Sequence, residues 1–214
     1  MSKPFVSAVL VATALLAAPA NAGSKGKEPS FAQDPEVVAF IAEMQEKHGF
    51  DADFLQRRFA RLHPNETVLK AIRPPAVPEL QRSWERYRAR FLNERRIAGG
   101  TRFWEQHQAT LKRASESFGV PEEVIVAIIG VETEYGRNTG KFGIMQALST
   151  LAFHYPPRAP FFRGELENYL LLARENDFDP LVLKGSYAGA LGIPQFMPSS
   201  QRRYAVDFDG DGKV

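Results

Sequence analysis

The chain has 214 residues, 44% of them hydrophobic and 24% charged, an ordinary globular composition with apolar material for one core or two small ones. This balance excludes wholesale disorder, collagen-like repeats and coiled coils. Lys and Arg number 27 against 25 Asp and Glu, a net charge of +2, so no global field draws nucleic acid to the molecule.

Cysteine is absent, which removes disulfide scaffolds, thiolate metal sites, Cys nucleophiles and a lipid-modified N-terminal Cys. The four histidines, His48, His63, His107 and His154, are scattered without ligand spacing, so no His-based metal site is expected.

Residues 1–22 read as a secretory signal. Lys3 supplies the positive start, Ala8 to Ala18 the apolar stretch, and Ala20-Asn21-Ala22 the small-x-small cleavage site. The apolar run is shorter than the roughly 20 residues a membrane-spanning helix needs. No later segment is apolar enough to span, which predicts an exported, soluble product. Residues 23–33 are mostly polar and read as a flexible tail.

Asp34-Pro35 then has the form of an N-cap and first helical residue, with Val37, Val38, Ile41 and Met44 on the helix and Gly49 closing it. A second short helix is predicted from Asp51. The stretch Arg73 to Pro78, with three prolines, cannot be a helix interior and reads as a linker. Helical periodicity resumes over Leu80–Ile97 and again over Thr101–Phe118, with Gly99-Gly100 read as a break. Pro121-Glu122-Glu123 opens a further helix, its two acids facing the positive end of the dipole. Helices are also predicted near 143–153 and 160–175, followed by a Gly-rich, Pro-interrupted segment from Gly185 to Pro198. Sustained alternation is nowhere found, so the fold class is mainly α with few or no strands.

The helix from Glu122 is apolar almost all round after its first turn, the pattern of a buried helix. Glu132 follows Ile129, Ile128 and Ile125 by three, four and seven residues and shares their face. A carboxyl on a buried face is poorly solvated, which disfavours the anion and raises its pKa, and a carboxyl that keeps its proton can donate it to a leaving oxygen. The plain alternative is a buried acid tied to an Arg or to backbone amides. Glu134, about 200° further round the helix, points elsewhere.

The chain stops at Asp207-Phe208-Asp209-Gly210-Asp211-Gly212-Lys213-Val214. This is the start of a D-x-D-x-D-G calcium loop, without its ninth and twelfth positions; a solvated Asp/Gly turn is the alternative. Ending inside the motif predicts that the sequence is a piece of a longer chain.

Ile129-Gly130-Val131-Glu132-Thr133-Glu134-Tyr135-Gly136-Arg137 resembles the catalytic signature of the lytic murein transglycosylase B family. The likeness continues through Ala147 to Phe153, Gly164 to Glu167, Leu183 to Gly192, Pro194 to Ser200, and Tyr204 to Phe208. It runs from about residue 34 to 214 and is weakest at its N-terminal end. The resemblance implies a lysozyme-like helical catalytic core over 79–214, with an additional N-terminal helical region and linker over 34–78. It implies a periplasmic enzyme that acts on peptidoglycan glycan strands, with no nucleic-acid partner and no cofactor required for catalysis.

In that family the signature Glu, here Glu132, is the sole acid/base. It protonates the oxygen between N-acetylmuramic acid and N-acetylglucosamine. It then takes a proton from the muramic acid's own C6 hydroxyl, which closes a 1,6-anhydro ring. Ser186 and Gln195 would hydrogen-bond the glycan near the scissile bond, Tyr87 would line the groove, and Arg158 would meet peptide or glycan, with Pro157 standing where the family has a second Arg. Asp207, Asp209, Asp211 and the Lys213 carbonyl match the start of the family's EF-hand-like loop, a possible structural calcium site. Without the resemblance, Ser186 could cap a turn, Gln195 could satisfy irregular backbone, Tyr87 could be core and Arg158 surface. A water-using muramidase and a non-catalytic peptidoglycan-binding protein remain the alternative functions.

Overall fold

The computed structural model describes residues 29–74 and 83–214. The signal over 1–22, most of the polar tail and the Pro75–Pro78 part of the linker lie outside the described residues.

The chain enters with a 3-10 turn at Phe31–Gln33, then α1 (Pro35–His48), α2 (Ala52–Phe59) and α3 (Glu66–Ile72). Their starts follow from local chemistry. Asp34, Asp51 and Asn65 each accept a hydrogen bond from amides of the first turn that have no partner within the helix. Pro35 occupies the first turn of α1, and left-handed Gly49 closes that helix. At the end of α3, Arg73 is extended ahead of Pro74, as the proline ring requires.

Next come α4 (Trp84–Ala89), α5 (Glu94–Gln106), α6 (Gln108–Phe118) and α7 (Glu122–Thr133). Strand β1 (Phe142–Gly143) leads into α8 (Ile144–His154), and α9 (Ala159–Glu175) packs back against it. Strand β2 (Lys184–Gly185) and α10 (Pro198–Tyr204) follow. The two strands pair antiparallel, with Phe142 opposite Gly185 and Gly143 opposite Lys184. The molecule is mainly α, as the sequence predicts.

Two local expectations are corrected. The flexible tail does not extend to residue 33: Phe31 is 1% exposed, and its amide donates to the Leu62 carbonyl at 3.0 Å. Burial of a phenyl ring outweighs the entropy of ordering one turn. Gly99-Gly100 does not break a helix either, because both lie buried inside α5. The predicted helices are interrupted instead at Asn93, whose side chain caps α5 by accepting from the Arg96 amide at 3.1 Å, and at His107, where α5 ends and α6 begins.

The main core lies around α8, where eight of the residues from Ile144 to Ala152 are buried. Phe40, Met44, Leu55, Phe59 and Val68 pack on it from the N-terminal helices, and Phe162, Leu166 and Tyr169 from α9. The N-terminal helices and the C-terminal half therefore share one core. On α9, buried Glu165 accepts from the Ser199 amide at 2.9 Å and the Ser199 hydroxyl at 2.6 Å, which fixes the start of α10. No helix among the described residues is long and apolar enough to cross a membrane.

Leu148, fully buried on α8, tests this arrangement. Leu148→Ala is expected to lower the unfolding free energy by about 2–5 kcal/mol, read as a shifted midpoint in urea with little change in slope.

Candidate functional site

The cleft that holds Glu132 is built where the end of α7 meets the irregular segment after β2. Helix α7 ends in three successive left-handed residues, Glu134, Tyr135 and Gly136, at φ of 51°, 63° and 80°. They turn the chain sharply into the segment from Arg137 to Lys141.

Thr133, 1% exposed, joins the two walls. Its hydroxyl accepts from the Gly136 amide at 3.0 Å, with the Ile193 carbonyl at 3.1 Å and the Ile129 carbonyl at 3.3 Å as acceptors for its single proton. Below this joint, Gly140 lies directly on β2. A Cβ there would stand 2.0 Å from the Gly185 carbonyl oxygen and 2.5 Å from the Ser186 amide nitrogen. Only glycine permits that approach, and it brings Ser186 beside the 137–142 segment.

The result is a cleft of about 600 Å³ lined by Glu132, Lys141, Ser186, Tyr187 and Gln195 together with Arg137 to Gly140 and Phe142. Three of the residues singled out in the sequence, Glu132, Ser186 and Gln195, thus meet in one place. Thr133, which makes that meeting possible, was not singled out. Its signal is a hydroxyl directly after the acid in the last turn of an otherwise apolar helix.

The two polar side chains opposite Glu132 have complementary unused capacity. The Ser186 hydroxyl oxygen accepts from the Ala188 amide at 3.2 Å and the Ala190 amide at 2.9 Å. Its acceptor sites are thereby occupied while its proton stays available. The Gln195 side-chain amide donates to the Thr139 carbonyl at 3.2 Å and the Gly192 carbonyl at 2.8 Å, so its remaining function is the carbonyl oxygen, an acceptor. The backbone of Gln195 is itself left-handed, with φ of 53°, a conformation held by these contacts rather than favoured by the residue.

The expected burial of Glu132 is corrected. On α7 the buried residues are Val126, Gly130 and Thr133, and the helix packs against α5 and α6. The opposite stripe is open, with Val124, Ile128 and Val131 between 42% and 52% exposed, and Glu132 is exposed with it. Position 132 does share the face of Ile125, Ile128 and Ile129, but only Ile125 and Ile129 are half-buried there, and Ile128 and Glu132 stay exposed. Ile125 and Ile129 instead line an open apolar groove of about 780 Å³ with Phe103, Phe118, Ile193 and Phe208.

Tyr87 and Arg158 do not line the cleft. Tyr87, 48% exposed on α4, stacks on Trp84 at 6.0 Å and packs against Phe91 at 5.0 Å. Arg158, at the entry to α9, lies over the rings of Phe161 at 4.3 Å and Phe162 at 5.3 Å. An aromatic or guanidinium group gains from such local partners without any ligand.

The acidic loop gathers one carboxylate oxygen from each of Asp207, Asp209 and Asp211 within 4.8 Å of one another. The Lys213 amide donates to Asp211 at 2.9 Å. Arg113 anchors the loop to α6 by donating to the Phe208 carbonyl at 2.8 Å, and the Val214 amide donates to buried Asn176 at 2.7 Å. Three convergent hard oxygens suit a calcium ion chemically. The Gly212 amide, together with those of Gly210 and Asp211, donates to Asp207 and holds its carboxyl below the usual carboxylate range.

A group with a lowered folded pKa contributes order above its unfolded value and loses that contribution as the pH falls through the folded value. The amide resonances of Gly210, Asp211 and Gly212 are therefore expected to move together on acidification in metal-free buffer, with one midpoint below that of an unstructured Asp.

Comparison with known proteins matches residues 32–214 to the transglycosylase SLT domain family. The chain is 47% identical over 193 residues to membrane-bound lytic murein transglycosylase B of Escherichia coli, a match that covers 86% of this chain and 53% of that protein. Among solved structures it is similar to the soluble lytic transglycosylase SltB1 of Pseudomonas aeruginosa, with 52% identity, a TM-score of 0.80, and 84% and 60% of the two chains covered. It is similar too to the Escherichia coli lytic transglycosylase Slt35 in complex with calcium, at 46% identity and a TM-score of 0.80, with 87% and 59% covered. The chain therefore spans between about half and three-fifths of the length of these relatives. Their likeness bears out the lysozyme-like helical fold.

Proposed function

The chain belongs to the transglycosylase SLT domain family, and from this premise we propose that it cleaves the β-1,4 bond between N-acetylmuramic acid and N-acetylglucosamine in peptidoglycan, leaving a 1,6-anhydro end. The observation that carries this reading is the convergence of Glu132, Ser186 and Gln195, from separate parts of the chain, on one cleft.

In this reading Glu132 gives its proton to the bridging oxygen as the C1–O4 bond breaks. The muramic C6 hydroxyl attacks C1 and forms the C1–O6 bond, and its proton passes to the Glu132 carboxylate, restoring the acid. Nothing is consumed and no water enters. Solvent-exposed in the free protein, Glu132 would be shielded from water when a glycan lies along the 137–142 segment. Arg137 and Lys141 line the same cleft. Ser186 would donate to a sugar oxygen, and Gln195 would accept from a sugar hydroxyl or acetamido N–H.

One feature favours anhydro-ring formation over hydrolysis. Among the described residues lining the cleft, Glu132 is the sole carboxylate, whereas hydrolytic glycosidases generally use two. A nucleophile carried by the substrate makes the second unnecessary, because proximity replaces activation of a free water.

Export through the N-terminal signal to the periplasm belongs to the same proposal. So does a structural calcium ion held by Asp207, Asp209, Asp211 and the Lys213 carbonyl, a role supported by the calcium complex of Slt35. No chemical step passes through it.

Glu132→Gln is expected to lower release of anhydro-ended muropeptides by about 10²–10⁴-fold with an unchanged circular dichroism spectrum. Mass spectrometry of the products checks the reaction type: reducing muramic ends in place of anhydro ends would assign a hydrolase. For the calcium site, Asp209→Ala is expected to weaken calcium binding in isothermal titration without changing the product.

A further inference from the structure

The left-handed turn that follows Glu132 is held by a device in α5. The ring of Tyr135 lies in a slot formed by Gly99 and Gly100 of α5 and Gly130 of α7. A Cβ at Gly99 would stand 3.1 Å from the ring. At Gly100 it would stand 2.6 Å from the phenolic oxygen, and at Gly130 2.6 Å from that oxygen and 2.7 Å from the carbon bearing it. No other side chain could replace these glycines without moving the ring. Phe103, one turn further along α5, closes the slot with its ring centroid 5.7 Å from that of Tyr135.

Two cations on the same stretch of α5 meet the chain on either side of Glu132, one at the backbone and one at a side chain. Arg96 donates to the Gly130 carbonyl at 2.6 Å, and Arg95 pairs with the carboxylate of Glu134. The chain is thus fixed two residues before Glu132, two residues after it, and by the Tyr135 ring beyond. Glu132 itself reaches neither α5 nor a buried partner, so its aim depends on this frame.

We propose that Tyr135 is a positioning residue for Glu132: its ring, seated in the slot of Gly99, Gly100 and Gly130, sets how α7 ends and thereby directs the Glu132 carboxyl into the cleft shared with Ser186 and Gln195. The inference rests on the reading of Glu132 as the acid and adds to it a reason for the paired glycines inside α5. Shape matters here rather than the phenolic hydrogen.

The test compares wild type with Tyr135→Ala, Tyr135→Phe, Gly100→Ala and Glu132→Gln, with release of anhydro-ended products from purified glycan strands as the assay. Tyr135→Ala and Gly100→Ala are expected to lower kcat by roughly ten- to a hundredfold, the scale set by misplacing a reacting group by about 1 Å, with KM nearly unchanged. Tyr135→Phe keeps the shape and is expected to remain near wild type. Hydrogen exchange gives a readout independent of turnover: the amides of Glu134 and Tyr135 should lose protection in Tyr135→Ala and Gly100→Ala while those of α8 and α9 keep theirs.

Unchanged kcat in a folded Tyr135→Ala, or a fall in Tyr135→Phe as large as in Tyr135→Ala, would overturn the proposal. If Tyr135→Ala does not fold, Gly100→Ala decides by the same criteria, because it displaces the ring from the opposite side. Full turnover in Glu132→Gln, or none in wild type, instead removes the functional reading. Exchange at Glu134 and Tyr135 then still tells whether the ring holds the turn, and unaltered protection in Gly100→Ala would sink that as well.

Discussion

Because the Thr133 hydroxyl is buried between α7 and a loop carbonyl 60 residues later in the chain, the end of the Glu132 helix is tied to the loop that carries Gln195 by a short polar joint. Pulling the helix end and the Ile193 loop apart would take this donor from the Ile193 carbonyl while the hydroxyl kept its partners at the end of α7, a loss of about 0.5–1.5 kcal/mol. On one side of the joint stands Glu132, on the other Gln195. Their relative placement is a property of this contact more than of either element alone. The Gly140–Gly185 approach does the same for Ser186, by bringing two backbones close enough that only hydrogen atoms fit between them.

The parts of this structure written in local chemistry were legible in the sequence. The Asp34-Pro35 start and Gly49 stop of α1 follow from caps, and the positions of α8 and α9 from apolar spacing, both of which act within a few residues. Phe31 and the glycine pair were misread for the opposite reason. Composition marks residues 23–33 as polar and Gly99-Gly100 as a breaker, but each is governed by a distant partner: the N-terminal core for Phe31, the Tyr135 ring for the glycines. A glycine inside a helix costs about 1 kcal/mol relative to alanine, and contact with a well-packed ring offsets a penalty of that size.

At the candidate site the same division holds. That Glu132, Ser186 and Gln195 belong together was visible only through the resemblance, since nothing in their separation along the chain says that they meet. The burial expected of Glu132 was inferred from an apolar helix, and an apolar stripe records what a helix could bury rather than what covers it. Ile128 and Val131 remain open beside it. Glu132 therefore stands at an open cleft, not behind a fixed greasy wall.

In the proposed function, the polar groups of the cleft would also limit how a sugar can lie in it. Ser186 has one proton left to give and Gln195 one oxygen left to receive, because backbone amides and carbonyls already hold their other functions. A carbohydrate presents many hydroxyls that can play either part, so a pair of fully flexible polar side chains would accept several orientations. A committed donor set apart from a committed acceptor still discriminates among groups that play one part only: a ring or glycosidic oxygen can meet Ser186 and not Gln195, and an acetamido N–H can meet Gln195 and not Ser186. The left-handed backbone of Gln195 is consistent with this: a strained conformation persists where its surroundings fix the side chain, and here they fix it with its carbonyl unspent. In the proposed function, a preference for one direction of the glycan strand would come from where its acetamido and bridging groups fall against this donor and this acceptor, whose polarity is set by the main chain.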